Sequence, residues 1–240
     1  MLSSLPRRQV LISLLAVSAS GLALAACGES EQAKAPAAPS APSTPGAPAA
    51  PAAKVPPSSG NVDMAKLLEP GALPEKVMGN ADAPVTIVEY SSMTCPHCAS
   101  FHEKTLPTIK EKYIDTGKAR LVMREFPFDP RAEAGFMLAR CADNNYFAMI
   151  DVLFRQQRGW ATAENASDAL LQIARMAGFS QESFTACLTN QKLLDDVRAV
   201  RTRGAETFGV DSTPTFFING KTYKGAMSVD EMSALIDSLI

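Results

Sequence analysis

The chain has 240 residues, of which 46% are hydrophobic and 20% are charged, and its formal net charge is −2 at pH 7. These values exclude a strongly basic nucleic-acid-binding protein and a membrane protein with several spans. The 17 prolines and 5 cysteines are distributed unevenly, and their positions divide the chain into segments of different character.

Residues 1–27 have the features of an export signal. Arg7 and Arg8 provide a short positive start, and the apolar run over residues 10–26 is too short for a typical transmembrane helix. The run ends in Leu-Ala-Ala-Cys, which resembles a bacterial lipobox whose cysteine, here Cys27, receives the lipid. We expect a lipid anchor at Cys27; the alternative is an ordinary signal peptide that contains a cysteine.

Residues 28–63 are expected to form a disordered tether. Nearly half of the prolines lie here, interleaved with alanine and serine. Proline fixes φ and removes a backbone donor, so the segment cannot form a helix or a central strand. It also has too little large apolar surface to offset the entropy of folding. The folded part is therefore expected to be one domain over residues 64–240.

Within this domain, local patterns predict a strand, a helix and a second strand. The β-branched run at residues 85–90 predicts a buried strand, and a helix should follow over about residues 95–113. Pro96 suits the first turn of that helix. Residues 118–126 predict the second strand, which completes a βαβ unit.

The rest of the domain is predicted to contain a helical segment, a β-hairpin and a final helix. Helical periodicity over about residues 131–203 predicts several short helices. Strand-like runs at 215–218 and 221–224 flank Asn219 and Gly220, a strong signal for a β-hairpin. Ser228 is expected to cap a final helix that extends to about Leu239.

The motif Cys95-Pro96-His97-Cys98 stands where the buried strand meets the helix. Two cysteines on one helical turn lie within disulfide distance. Unpaired backbone N–H groups and the helix dipole favour the thiolate of Cys95, and His97 adds positive charge or a hydrogen-bond donor. A stable thiolate stabilises the reduced form, so the disulfide of such a pair is a strong oxidant.

Other uses of this motif fit the sequence less well. A zinc site would need a second Cys/His pair, but the only histidines are His97 and His102. Covalent haem attachment would need a histidine where Ala99 stands. An inert structural disulfide remains an alternative, although it rarely lies at a strand–helix junction. We therefore predict a redox pair that uses no metal or other cofactor.

Two further residues are candidates for the site. Glu89 lies on the predicted buried strand, where it could move protons for Cys98; the alternative is an exposed glutamate at a strand edge. Pro214 directly precedes the strand at 215–218. This position predicts a cis peptide bond that exposes the backbone of Thr213 to a partner peptide, with a trans proline as the alternative.

The chain from about residue 76 to 240 resembles DsbA-type thiol–disulfide oxidoreductases of the thioredoxin superfamily. The resemblance is carried by "APVTIVEYSSMTCPHC" and "FGVDSTPTFFING". It implies an α/β thioredoxin fold with an inserted helical domain. It also implies that Cys95 attacks, Cys98 resolves, Glu89 is a buried acid and Pro214 is a cis-proline. The residue before this proline is Thr213, where the best-known DsbA oxidases have valine. This difference leaves the balance between oxidation and isomerisation open.

The odd number of cysteines has a simple interpretation. If Cys27 is lipidated and Cys95 pairs with Cys98, then Cys141 and Cys187 remain, both on apolar faces of the predicted helices. We predict a structural disulfide between these two residues. The alternative is a pair of buried free thiols.

Together these features predict a monomeric, lipid-anchored oxidase of the periplasm or cell envelope. Its partners would be unfolded or reduced exported proteins, and the resemblance implies a DsbB-like membrane protein as reoxidant; nucleic acid is not expected as a partner. An isomerase or reductase is the alternative within the same class. From another class, a Cu(I)- or zinc-binding lipoprotein would use Cys95 and Cys98 as ligands.

Overall fold

The computed structural model describes residues 54–240. The predicted signal with Cys27, and the tether up to residue 53, lie outside the described residues. No helix within residues 54–240 has both the length and the apolar character needed to cross a membrane.

A six-stranded mixed sheet forms the centre of the fold, in the order β1-β6-β5-β3-β4-β2. The strands are β1 (Gly60–Asn61), β2 (Lys76–Met78), β3 (Val85–Ser91), β4 (Ala119–Glu125), β5 (Thr215–Ile218) and β6 (Lys221–Lys224). Strands β3 and β4 are parallel, as a βαβ unit requires, and the other neighbouring pairs are antiparallel. All seven residues of β3 are buried, because helices cover both faces of the sheet.

Helices α1 (Met64–Leu67) and α10 (Val229–Asp237) flank the sheet, and a long helical run connects β3 to β4. That run contains α2 (Pro96–Ser100) and α3 (Leu106–Ile109), each followed by a π-helical segment, Phe101–Thr105 and Lys110–Ile114. The run and α10 pack on one face of the sheet. Helix α1 and the last inserted helix pack on the other.

The helical insertion lies between β4 and β5. It consists of α4 (Pro130–Cys141), α5 (Tyr146–Arg155), α6 (Gln157–Ala161), α7 (Ala166–Met176), α8 (Gln181–Leu188) and α9 (Gln191–Phe208). Helix α9 continues past the predicted end at residue 203 and ends at Gly209, whose φ of 66° suits a glycine. The insertion has its own apolar core, which also includes Met93 and Cys98. The redox motif therefore packs directly against the insertion.

The start of the fold corrects one predicted boundary. We expected the tether to extend to residue 63, but Gly60 and Asn61 form β1. The N–H groups of Ser59 and Val62 also donate to carbonyl oxygens in and next to β6. Strand β1 has only two residues, and it is ordered by its partner rather than by its own propensity. A segment this short gives no periodicity that sequence analysis could detect.

Candidate active site

The two cysteines of the motif occupy different environments. Cys95 is the N-cap of α2 and is partly exposed, whereas the side chain of Cys98 lies inside the protein and is 0% exposed. Both are free thiols in this structure. Pro96 and His97 lie between them on the surface. The motif therefore presents one accessible sulfur, that of Cys95, with the second sulfur behind it.

The surroundings of Cys95 favour its thiolate and lower its pKa to about 5. The largest cause is a hydrogen bond from the thiol of Cys98; burial acts in the opposite direction. The side chain of Thr213 and the backbone N–H groups of Cys98 and His97 add to the lowering. These N–H groups belong to the first turn of the helix, where they have no partner within the helix.

The environment of Cys98 has the opposite effect. Burial is the largest cause that raises the pKa of Cys98 well above its ordinary value, and the negative charge of Glu89 raises it further. The thiol of Cys98 also favours its protonated form by donating to Cys95. At neutral pH the reduced pair is therefore a thiolate at Cys95 and a thiol at Cys98.

This asymmetry predicts the titration of the reduced protein. Thiolate absorbance at 240 nm should reach half of its first step near pH 5, and the Cys95→Ser variant should lose that step. Because the folded pKa lies below the unfolded pKa, the thiolate stabilises the reduced fold at neutral pH. That stabilisation should disappear as the pH falls through about 5. A first step near pH 8 or 9 would contradict the assignment.

Glu89 lies on β3, is 0% exposed and is near enough to Cys98 for its charge to raise the pKa of that thiol. Its two carboxylate oxygens accept a hydrogen bond from Nε2 of His102, with N–O distances of 3.1 and 3.0 Å. His102 is itself 4% exposed, and its ring packs on Phe154 of the insertion with 4.4 Å between centroids. The structure thus brings Glu89 close to Cys98, and it adds a histidine that the sequence analysis did not assign to the site. The four-residue separation of Cys98 and His102 was the available signal.

Thr213 and Pro214 complete the rim of the site. Their peptide bond is cis, and Pro214 directly precedes β5. The Sγ of Cys95 donates to the carbonyl oxygen of Thr213 at 3.2 Å. The hydroxyl of Thr213 is buried and has no hydrogen-bond partner among residues 54–240. A carbonyl oxygen only accepts, so this bond requires the protonated thiol of Cys95, whereas the hydroxyl of Thr213 can donate to the thiolate and lowers the pKa of Cys95.

A second residue missed by the sequence analysis is Gln157. It begins α6 and donates from Nε2 to the carbonyl oxygens of Met93 and Cys95, at 2.8 and 3.0 Å. Nothing in the local sequence points to this contact, because 62 positions separate Gln157 from Cys95.

The remaining two cysteines lie in the insertion. The Sγ atoms of Cys141, at the end of α4, and Cys187, in α8, are 2.09 Å apart, which is the separation of a disulfide. The described part of the chain contains no group of three or more His, Cys, Asp or Glu placed to hold a metal ion.

Comparisons with known proteins agree with this geometry. Residues 72–238 match the Thioredoxin family. A putative protein-disulfide oxidoreductase of Rickettsia bellii is 33% identical over 168 residues, which is 69% of this chain and 64% of the relative. A putative protein-disulfide oxidoreductase of Rickettsia conorii is 36% identical over 168 residues, which cover 69% of this chain and 60% of that relative. The chain thus spans less than two thirds of the length of these relatives.

The match to a solved structure extends over nearly the whole of the other chain. Wolbachia pipientis alpha-DsbA1 is 33% identical, with a TM-score of 0.67, and the match covers 72% of this chain and 94% of that one. The predicted thioredoxin fold with an inserted helical domain is confirmed by this match and by the topology. The chain therefore belongs to the thioredoxin superfamily and, within it, to the DsbA-type proteins.

Proposed function

We propose that this protein is a thiol–disulfide oxidoreductase that introduces disulfides into exported proteins through Cys95 and Cys98. A substrate thiolate attacks Sγ of Cys95 in the oxidised pair, and Cys98 leaves as a thiolate that takes up a proton. A second substrate thiolate then attacks the substrate sulfur of the mixed disulfide and expels Cys95. The substrate loses two electrons and two protons, and both electrons reduce the enzyme pair.

The observation that carries this proposal is the difference between the two sulfurs. Cys95 is accessible, with a pKa lowered to about 5, so it is a good leaving group in the second step. Cys98 is buried and its pKa is raised, so it is held as a thiol after the first step. A pair with one stabilised thiolate has a stable reduced form, and its disulfide therefore oxidises other thiols.

The proposal can be tested with the oxidised protein and a reduced peptide that carries two thiols. We expect the peptide to form its disulfide while the protein pair becomes reduced. In glutathione buffers the reduction potential should lie nearer to about −120 mV than to about −270 mV. A potential near the lower value would contradict an oxidase and favour a reductase.

We propose that Glu89 relays the proton that Cys98 needs when it leaves: the carboxylate takes up a proton from solvent and passes it to the departing thiolate, and His102 holds the carboxylate in place. The charge of Glu89 acts on Cys98, whose pKa it raises, and His102 donates to both carboxylate oxygens in a buried site. Glu89→Gln should therefore slow the attack of a thiol peptide on the oxidised pair by about a hundredfold, as loss of a general acid does. The rate should be measured from pH 4 to pH 8, because a purely structural role would leave the shape of the profile unchanged.

Glu103 provides a matched control for that experiment. It is an exposed glutamate on the same helical run, and Glu103→Gln should leave both the rate and its pH profile unchanged. His102→Phe should resemble Glu89→Gln, because it leaves the carboxylate without its partner. Equal profiles for Glu89→Gln and Glu103→Gln would remove Glu89 from the reaction.

Thr213 supports isomerase activity as a second candidate, because disulfide isomerases that the chain resembles often have threonine at this position, where the best-known DsbA oxidases have valine. A scrambled disulfide protein incubated with the reduced enzyme tests it: recovery of native pairs would favour an isomerase. An oxidase without this activity should leave the scrambled pairs in place. The backbone of Thr213 is the proposed contact for the substrate peptide in either case.

The site of action is proposed from the first residues of the chain, which the structure does not describe. Residues 1–27 support export, and Cys27 supports a lipid anchor that holds a monomeric enzyme at a membrane in the periplasm or cell envelope. A DsbB-like membrane protein is the proposed electron acceptor. Mass spectrometry of the mature protein from a membrane fraction tests the anchor: a lipid on an N-terminal Cys27 is expected, and an unmodified terminus would exclude it.

A further inference from the structure

One side chain of the helical insertion contacts the redox loop, residues 92–95 between β3 and α2, on both sides of Thr94. Gln157 is 6% exposed, and its amide nitrogen donates to the carbonyl oxygens of Met93 and Cys95 at 2.8 and 3.0 Å. Because both partners are acceptors, only the nitrogen of the amide fits between them. Both N–H groups of one side chain are therefore used on the backbone next to the attacking cysteine.

The helix that carries Gln157 is firmly held within the insertion. Trp160, on the same helix, is fully buried, and its Nε1 donates to the carbonyl oxygen of Leu153 at 2.8 Å. The end of the helix is tied to α4 by Arg131, which donates to the carbonyl oxygen of Ala161 at 2.6 Å. The insertion therefore holds the helix from which the Gln157 side chain reaches Met93 and Cys95.

The redox loop is held by the insertion at other points as well. Met93 is buried against Gly135 of α4, where a Cβ would lie 3.1 Å from the Cβ of Met93. The hydroxyl of Thr94 donates to Asp129, the N-cap of α4. These two contacts are made to Met93 and Thr94, whereas Gln157 also bonds to Cys95 itself. It also supplements the bond from the Ala99 N–H, which reaches the same carbonyl at 3.2 Å.

We propose that Gln157 is a positioning residue through which the helical insertion sets the oxidising strength of the Cys95–Cys98 pair. The amide holds the Cys95 backbone at the N-terminus of α2, so that the N–H groups of the first turn face its sulfur. It also donates to the buried carbonyl oxygen of Met93 and adds a second donor to that of Cys95, which offsets the unfavourable effect of both carbonyl dipoles near a negative charge. The inference deepens the proposed function and rests on it.

Replacing the amide with an apolar group of similar size tests this role. In Gln157→Leu, the pKa of Cys95 should rise toward its ordinary value. In glutathione buffers, the ratio of the oxidised to the reduced Cys95–Cys98 pair should then increase roughly fivefold. Cys98, Thr213 and His97, the other groups near the sulfur, are unchanged in this variant. The neighbouring Gln156 is exposed, so Gln156→Leu is the matched control and should leave both quantities unchanged.

These measurements do not depend on substrate turnover, so the inference can fail while the proposed function holds. A folded Gln157→Leu variant with the wild-type titration and glutathione equilibrium would overturn it. If that variant does not fold, the wild-type protein with ¹⁵N-labelled glutamine gives the answer. The side-chain amide of Gln157 should shift as Cys95 titrates, and that of Gln156 should not. An unchanged Gln157 resonance across that range would equally overturn the inference.

Discussion

In a Cys98→Ser variant, a mixed disulfide between Cys95 and a single-thiol peptide should persist at least about a hundredfold longer than in the wild-type protein. In the wild-type protein, the sulfur of Cys98 lies behind that of Cys95 and can attack it, expelling the peptide as a thiolate. The hydroxyl of serine does not perform this exchange under the same conditions. The mixed disulfide is therefore left without an internal route of release.

The experiment needs a defined starting state. The variant is first loaded at Cys95 with thionitrobenzoate, which the peptide then displaces, and the mixed disulfide is followed by intact mass. Cys95→Ser serves as the counterpart. Its remaining thiol, Cys98, is buried and protonated, so it should react slowly with iodoacetamide and form no mixed disulfide. Equal lifetimes in the wild type and Cys98→Ser would show that Cys98 is not the resolving residue.

The parts of the site that could be predicted from the sequence are those defined by neighbours along the chain. The buried strand ends shortly before Cys95, and Pro96 begins the helix, so the position of the sulfur at a helix N-terminus follows from local patterns. The hairpin at Asn219 and Gly220 is equally local, and both residues have positive φ as that turn requires. Alternation along β3 likewise indicated a buried Glu89.

The parts that could not be predicted depend on contacts between distant segments. Strand β2 has three residues, and it is ordered by its antiparallel pairing with β4, from Lys76 opposite Met123 to Met78 opposite Leu121. Gln157 reaches Cys95 only because the insertion folds back over α2. His102 meets Glu89 across the strand–helix packing, and its ring is covered by Phe154 from the insertion. Such pairings follow from tertiary packing, which a single sequence does not encode in any local pattern.

The same insertion holds the second pair of cysteines. The bond between Cys141 and Cys187 joins α4 to α8 across 46 positions of the chain, inside the core of the insertion. The preceding residue, Arg140, bonds to the buried carboxylate of Glu125 at the end of β4. The end of α4 is thus attached both to the sheet and to α8, and the disulfide restricts the unfolded chain more than it restricts the folded one.

Removing that bond should lower the free energy of unfolding by about 2–4 kcal/mol, the upper value being the chain-entropy estimate for a loop of this length. Cys141→Ala/Cys187→Ala should be compared with its parent in a Cys95→Ala/Cys98→Ala background, so that one disulfide alone differs. Urea unfolding gives the free energies, and the slope should increase because the unfolded chain becomes less compact. Two results would contradict a stabilising disulfide. One is an unchanged free energy; the other is alkylation of both Cys141 and Cys187 in unfolded, unreduced protein.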